Sequence, residues 1–145
     1  PVPATRAGEV TGPGGGQRWV LWLGPDWWLV VDAPDLAGGL EPALVTTLRD
    51  AAGGEASVVD VSAHRTTLEL TGRYARTVLE HGCSLDLHPR AFGVGTCAQA
   101  TLAKAQVVLH HTGESTYRVS VRASYADYLA RWLVDATTEY AAGDR

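Results

Sequence analysis

The chain has no methionine, one phenylalanine and two cysteines in 145 residues. Two cysteines, Cys83 and Cys97, are too few for the disulfide frameworks that staple small secreted domains. No apolar run approaches the roughly 20 residues that a membrane-crossing helix needs, and no secretory apolar core is present. These absences predict a cytoplasmic protein with free thiols and no membrane partner. Positive charge is also in short supply. Twelve Lys and Arg stand against sixteen Asp and Glu, for a net charge of −4. Such a chain has no electrostatic hold on a polyanion, so no nucleic-acid partner is expected. Methionine is missing even from the first position, where the chain reads Pro-Val-Pro, so Pro1 is not expected to be the natural start.

What is present suits a globular fold. Hydrophobic residues make up 46% and charged residues 19%, which is ordinary for a packed domain rather than a disordered chain. A chain of this length buries roughly 68–70% of its unfolded surface, enough to fold without metals or bridges. Residues 1–17, rich in Pro, Gly and small side chains, read as a flexible arm. Residues 18–141 read as a single domain, with room for two pseudo-repeated lobes, and 142–145 as a frayed tail.

Within that domain, Trp19–Leu23 and Trp27–Val31 flank Gly24-Pro25-Asp26 and predict a β-hairpin that is apolar on both faces. Such a hairpin is buried on both sides, or one side meets another chain. Leu40, Leu44, Val45, Leu48 and Ala52 fall on one face of a helix over 40–52, with Gly53-Gly54 as its stop. Val58–Val61 and Thr66–Leu70 predict a second hairpin. A short helix over 73–81 follows, with Gly82 in its C′ position. Residues 83–96 lack periodicity and predict a long loop. Residues 99–110 read as a strand, Thr116–Arg122 as its antiparallel return, and 125–140 as a last amphipathic helix capped by Ser124 and Asp127. The resulting expectation is an α+β fold of repeated β-hairpin–helix units, an antiparallel sheet with helices packed on one side.

Several residues invite chemistry. His81, Cys83, His88 and Cys97 are zinc-ligand types, but their spacing matches no closed zinc motif, and no metal site is expected. Cys83 or Cys97 with His88 and Asp86 resembles a Cys-His-Asp set. Nothing in the sequence lowers a thiol pKa or fixes a base beside it, so buried inert cysteines are the favoured reading and no catalytic residue is assigned. His110-His111 precedes a turn. Adjacent strand residues face opposite ways, so a solvated turn is preferred over a shared ion. Gly93-Val-Gly95 and Gly12–Gly16 lack the Lys-Ser/Thr of a phosphate loop.

The strongest interaction signal is aromatic. Four of the five tryptophans lie between positions 19 and 28, and aromatics are enriched at interface cores. They either fill the domain's own core or meet a partner, and one sheet face doing each is expected. Trp22, Trp27 and Trp28, with His88, Arg90 and Phe92 of the central loop, are the candidate interface residues. Arg90 is suited to bidentate pairing with a carboxylate. Asp86 is read as structural.

Leu21-Trp-Leu-Gly-Pro-Asp26 with Trp28-Leu-Val30 is similar to the opening hairpin of the sarcosine oxidase gamma subunit family. Val58-Val-Asp-Val-Ser62 with Arg65 is similar to its second hairpin. Gly82-Cys-Ser-Leu-Asp-Leu-His-Pro-Arg90, Phe92, Cys97-Ala-Gln99 and Leu102-Ala-Lys104 are the most specific match. Ser124-Tyr-Ala126, Tyr128-Leu129 and Trp132-Leu133 resemble the family's last helix. The resemblance spans Trp19 to Tyr140. It implies a fold like the aminomethyltransferase (glycine cleavage T) folate-binding domain and a non-catalytic gamma subunit of heterotetrameric sarcosine oxidase. That enzyme oxidises sarcosine with oxygen to glycine, a one-carbon unit and hydrogen peroxide. The resemblance places flavins, NAD, zinc and tetrahydrofolate in the alpha, beta and delta partner subunits, with no cofactor in this chain. Folate-dependent relatives carry Lys-Gly-Cys-Tyr-x-Gly-Gln-Glu near this position. Here Gly95-Thr-Cys-Ala-Gln99 lacks the Lys, Tyr and Glu. A free-standing tetrahydrofolate-binding domain in one-carbon transfer is the alternative, and a self-assembling structural protein a third.

Overall fold

The computed structural model describes residues 5–11, 17–32, 39–52 and 56–141. Their elements are β1 (Thr5–Thr11), β2 (Gln17–Gly24), β3 (Trp27–Val31), α1 (Leu40–Ala52), a 3-10 turn (Ser62–His64), β4 (Arg65–Thr71), α2 (Ala75–Glu80), β5 (Thr96–Leu102), β6 (Ala105–Gly113), β7 (Thr116–Arg122), a second 3-10 turn (Ala123–Tyr125) and α3 (Ala126–Ala141). The strands form a seven-stranded sheet in the order β3-β2-β1-β5-β6-β7-β4. Every pairing in it is antiparallel.

The mixed α+β plan and the antiparallel sheet agree with the sequence reading, but the pairing within the sheet does not. Val58–Val61 forms no strand. β4 instead pairs along its whole length with β7, from Arg65 opposite Arg122 to Thr71 opposite Thr116. Local adjacency suggested a hairpin, whereas alternation of Thr66, Leu68 and Leu70 specifies only a strand and not its neighbour. The stretch 99–110 is likewise two strands. β5 turns back into β6 through Ala103-Lys104, with Leu102 opposite Ala105. Ala103 supplies the positive φ of 53° that this turn needs, a conformation usually left to Gly or Asn. The segment read as an arm contains β1, which pairs with β2 and touches β5 at Thr5 and Arg6. Gly53-Gly54 lies outside the described residues.

The sheet separates two apolar clusters because successive side chains on a strand point to opposite faces. On one face Ala98, Val107, Leu109, Val119 and Val121 pack against Val78 and Leu79 of α2 and Leu129 and Leu133 of α3. Leu87 and Phe92 of the central loop join this core. On the other face Cys97 and Val108 meet Trp19, Leu21 and Leu23 of β2, so the β2–β3 end of the sheet curls over its centre. β6 is accordingly buried on both faces from Val107 to His111.

Two local expectations are refined. Gly82 follows the His81 C-cap and so holds the expected C′ position, but without the left-handed conformation common there, since the positive-φ glycines among the described residues are Gly72 and Gly95. It is glycine for a different reason. A Cβ there would lie 2.6 Å from Cζ2 and 2.7 Å from Cη2 of Trp132, so the absent side chain is what lets α3 close against the α2 turn. The stripe on α3 also stops short at its N-terminal end. Tyr125 and Tyr128 are exposed and meet edge-to-face at 6.4 Å.

Candidate interaction surface

The tryptophan hairpin divides cleanly by face. Trp19, Leu21 and Leu23 alternate inward on β2 and are buried, with Leu29 and Val31 of β3 packed beside them. The Gly24-Pro25-Asp26 turn brings β3 back, with Asp26 in the left-handed region at φ 56°, which Asp tolerates better than most residues. Register then puts Val20 opposite Val30 and Trp22 opposite Trp28 on the outer face. Trp22 and Trp28 meet edge-to-face with centroids 6.4 Å apart. Trp27 and Trp28 are each 55% exposed. β3 is also an edge of the sheet. An outer face made of Val20, Trp22, Trp28 and Val30 is apolar throughout, and exposed apolar patches of this kind mark interaction sites. The hairpin ends on an ion pair, Arg18 Nη2 to Asp32 Oδ2 at 2.6 Å, with the Asp32 side chain 3% exposed.

The central loop is tied to itself. Asp86 Oδ1 accepts the His88 backbone N–H at 2.9 Å, and His88 Nδ1 accepts the Arg90 N–H at 3.2 Å. The His88 carbonyl takes the N–H groups of Ala91 and Phe92, both at 2.8 Å. Leu87 and Phe92 anchor the loop in the core, leaving Asp86, His88 and Arg90 exposed. Phe92 was expected at an interface, but it has no exposed surface. Its part in any surface is to hold the loop that presents His88 and Arg90.

The nucleophile reading has no support in this geometry. Asp86 is spent on the loop backbone. Burial pushes the Cys83 thiol above its ordinary value, only partly countered by a hydrogen bond from the Leu85 backbone, and a thiol so placed is a poor thiolate source. Cys97 is wholly buried, with its Sγ 3.7 Å from the Trp22 carbonyl. No group of three or more His, Cys, Asp or Glu side chains able to hold a metal ion occurs among the described residues. His81 instead hydrogen-bonds the Tyr140 hydroxyl at 2.7 Å.

The adjacent histidines depart most from expectation. His110 and His111 are not in a solvated turn but in the buried middle of β6, 3% and 4% exposed. They do face opposite ways. His110 lies against the edge of Trp19, centroids 4.6 Å apart, and burial lowers its pKa to about 4, helped by the positive charges of Arg118 and His111. His111 stacks on Tyr117 at 4.2 Å, on the helix side of the sheet. It lines a cavity with Arg73, Arg76 and Tyr117 that sequence reading missed. The available signal was the alternation Ala105, Val107, Leu109, His111, which continues an inward-facing row into a polar residue.

The chain is thus an antiparallel α+β domain whose β2–β3 hairpin leaves Trp28 of its outer face more than half exposed. Residues 9–139 match the sarcosine oxidase gamma subunit family, and the chain belongs to that family. It is 44% identical over 144 residues to sarcosine oxidase subunit gamma from Corynebacterium sp. (strain U-96), covering 99% of this chain and 66% of that one. It is 45% identical over 137 residues to the subunit of the same name from Arthrobacter sp., covering 94% and 64%. The chain thus spans just under two thirds of the length of these relatives. The fold matches a chain of the heterotetrameric sarcosine oxidase from Corynebacterium sp. U-96, solved in complex with pyrrole 2-carboxylate. That match has a TM-score of 0.80 and 39% identity, covering 99% of this chain and 69% of the other. No helix among the described residues is long and apolar enough to cross a membrane.

Proposed function

We propose that this chain is the non-catalytic gamma subunit of a cytoplasmic heterotetrameric sarcosine oxidase, acting as a scaffold for the alpha, beta and delta subunits. In this reading those subunits carry the flavins, NAD and tetrahydrofolate and oxidise sarcosine with oxygen to glycine, a one-carbon unit and hydrogen peroxide. The observation that carries the proposal is the outer face of the β2–β3 hairpin. Trp28 leaves over half its surface in water on this face of an edge strand, beside Trp22 and two valines, and Trp27 beside the turn is equally exposed. Fully burying an aromatic side chain removes about 150–250 Å² from water. Covering the exposed half of each ring at about 25 cal/mol/Å² contributes about 2–3 kcal/mol per tryptophan. His88 and Arg90 of the central loop, held out by the Leu87 and Phe92 anchors, are the proposed polar part of the interface.

The finer fold assignment, to the aminomethyltransferase folate-binding type, is supported by the antiparallel sheet with α2 and α3 on one face. Inherited folate binding is not supported by the residues at the corresponding stretch. Gln99 donates its side-chain N–H to the Leu23 carbonyl at 2.8 Å, Cys97 is buried against β2, and Thr96 donates its hydroxyl to Gly93 O at 2.6 Å. These side chains knit the sheet and leave no acid to hold a pterin.

The test is co-expression of the other subunits with the parent chain, with a Trp27→Ser/Trp28→Ser variant, and without the chain. Assembly is measured by mass and turnover by flavin-dependent peroxide production. Loss of the complex in the second and third cases is expected. Equal assembly and turnover without the chain would overturn the proposal. Saturable binding of tetrahydrofolate by the chain alone, followed by tryptophan fluorescence, would favour the free-standing folate domain instead.

A further inference from the structure

The end of the sheet farthest from the tryptophan hairpin has the opposite character. β3 and β4 are its two outermost strands. On β4, Leu68 and Leu70 pack into the main core, so alternation puts Arg65, Thr67, Glu69 and Thr71 on the other face. Register sets each of these directly opposite a β7 residue. Thr71 stands against Thr116, Glu69 against Arg118, Thr67 against Ser120 and Arg65 against Arg122. Side chains so placed on antiparallel strands have Cβ atoms about 4.5–5.5 Å apart and interact as pairs.

Three of these four pairs are complementary. Arg118 Nε donates to Glu69 Oε2 at 3.1 Å. The Thr67 and Ser120 hydroxyls are hydrogen-bonded at 2.8 Å, and the Thr71 hydroxyl donates to Thr116 Oγ1 at 3.5 Å. The fourth pair sets two guanidinium groups side by side. Neither Arg65 nor Arg122 has an ion pair among the described residues. Like charges directly opposite destabilise a strand pair, and Arg65 is half-buried, which strips water from its charge. The chain has only twelve Lys and Arg and a net charge of −4, so this doubling does not belong to a generally basic surface. Two adjacent planar forks of N–H donors match the oxygens of a carboxylate.

The approach to this pair is open and partly apolar. β4 has no strand on its outer side. One 3-10 turn before Arg65, about 8 Å along the chain at 2.0 Å per residue, residues 58–61 carry three valines in a stretch that joins no strand. Val59 is 71% exposed. Arginine beside exposed apolar side chains is the composition of an interface.

We propose that the Arg65–Arg122 pair at the β4 end of the sheet docks an Asp or Glu carboxylate of another subunit of the oxidase. The inference rests on the subunit reading and deepens it. It gives the chain a second contact, ionic where the Trp28 contact is apolar and at the opposite end of the sheet. The partner's carboxylate supplies the charge that the fourth cross-strand pair lacks within this chain.

The experiment immobilises the full chain and measures its affinity for the co-expressed remaining subunits at ~0.1 M and ~1 M salt, between which the screening length falls from about 10 to about 3 Å. Arg122→Glu makes the fourth pair complementary, as Glu69–Arg118 already is. Its thermal midpoint is expected to rise by about 1–5 °C, while its affinity falls at least about tenfold, the size of one charge-assisted hydrogen bond. A merely structural pair would give the first effect without the second. The double variant Arg65→Gln/Arg122→Gln is expected to lose a similar factor at ~0.1 M salt and most of the parent's salt dependence. A parent chain that binds no subunit refutes the subunit reading and this inference with it. A parent that binds, with Arg122→Glu binding equally well or the double variant as salt-sensitive as the parent, refutes this inference alone.

Discussion

Gly82→Ala is the substitution whose consequence can be worked most directly from the structure. The new Cβ would stand 2.6 and 2.7 Å from two ring carbons of Trp132 and 3.1 Å from the Ala103 nitrogen. Carbon pairs settle at about 3.5–4.0 Å, so the overlap with the indole is close to 1 Å on a rigid ring. Neither neighbour is free to yield. Trp132 packs against the main core from α3, and the Ala103 N–H donates to the Gly82 carbonyl at 2.9 Å. Overpacking of this kind costs about 1–3 kcal/mol. The alanine also narrows the unfolded ensemble, which returns about 0.4–1 kcal/mol. A net loss of about 1–2 kcal/mol follows, a fall in Tm of about 3–8 °C for a chain of this size. Urea unfolding should show a lower midpoint with an unchanged slope. Trp132→Leu removes the obstructing ring at its own packing cost. The double variant should therefore be more stable than the sum of the two single losses by about 1 kcal/mol. A Gly82→Ala chain as stable as the parent, or strictly additive losses in the double variant, would refute the close-approach account of this glycine.

Further outcomes follow from the sheet. His110 has a folded pKa near 4 against an ordinary 6.5. The unfolded chain thus binds the extra proton between those values, and stability is full above about pH 6.5. It falls as pH drops toward 4 by up to about 3 kcal/mol, and thermal melts of His110→Phe across that window should lose most of the slope. Arg18→Met leaves the buried Asp32 carboxylate without its 2.6 Å partner and should cost about 1.5–3 kcal/mol in urea unfolding. Ala103→Gly relieves the positive φ of the β5–β6 turn. A left-handed alanine costs about 1–2 kcal/mol and glycine gives back about 0.5–1 in entropy. A gain of about 0.5–1 kcal/mol is therefore expected, read as a higher urea midpoint.

Reading by period and by punctuation found most of the elements and fewer of their partners. Gly-Pro-Asp between two tryptophan-rich runs was enough to locate β2 and β3, because turn chemistry is local. The helical spacing of Leu129, Trp132 and Leu133 located α3 for the same reason. The pairing of β4 with β7 was not legible, because its partners lie about fifty residues apart and alternation says nothing of which strand lies alongside. The residues 99–110 concealed a turn, since Ala103-Lys104 carries no Gly, Asn or Pro to announce it.

The candidate site divides in the same way. Composition alone offered the tryptophan hairpin as either core or a candidate interaction surface, because both of its faces are apolar in sequence. Only the curl of the sheet decided that Trp19 turns inward while Trp22 and Trp28 turn out. The amino-acid order also determined the family, through an ordered set of short motifs that runs almost the length of the chain. It did not reveal that Phe92 is sealed in the core, that Gly82 is required by a ring fifty residues away, or that His111 meets Arg73 and Arg76 at one cavity. Those facts depend on which distant backbones approach. Side-chain chemistry is written along the chain, but proximity is set by packing, and a site exists only where the two coincide.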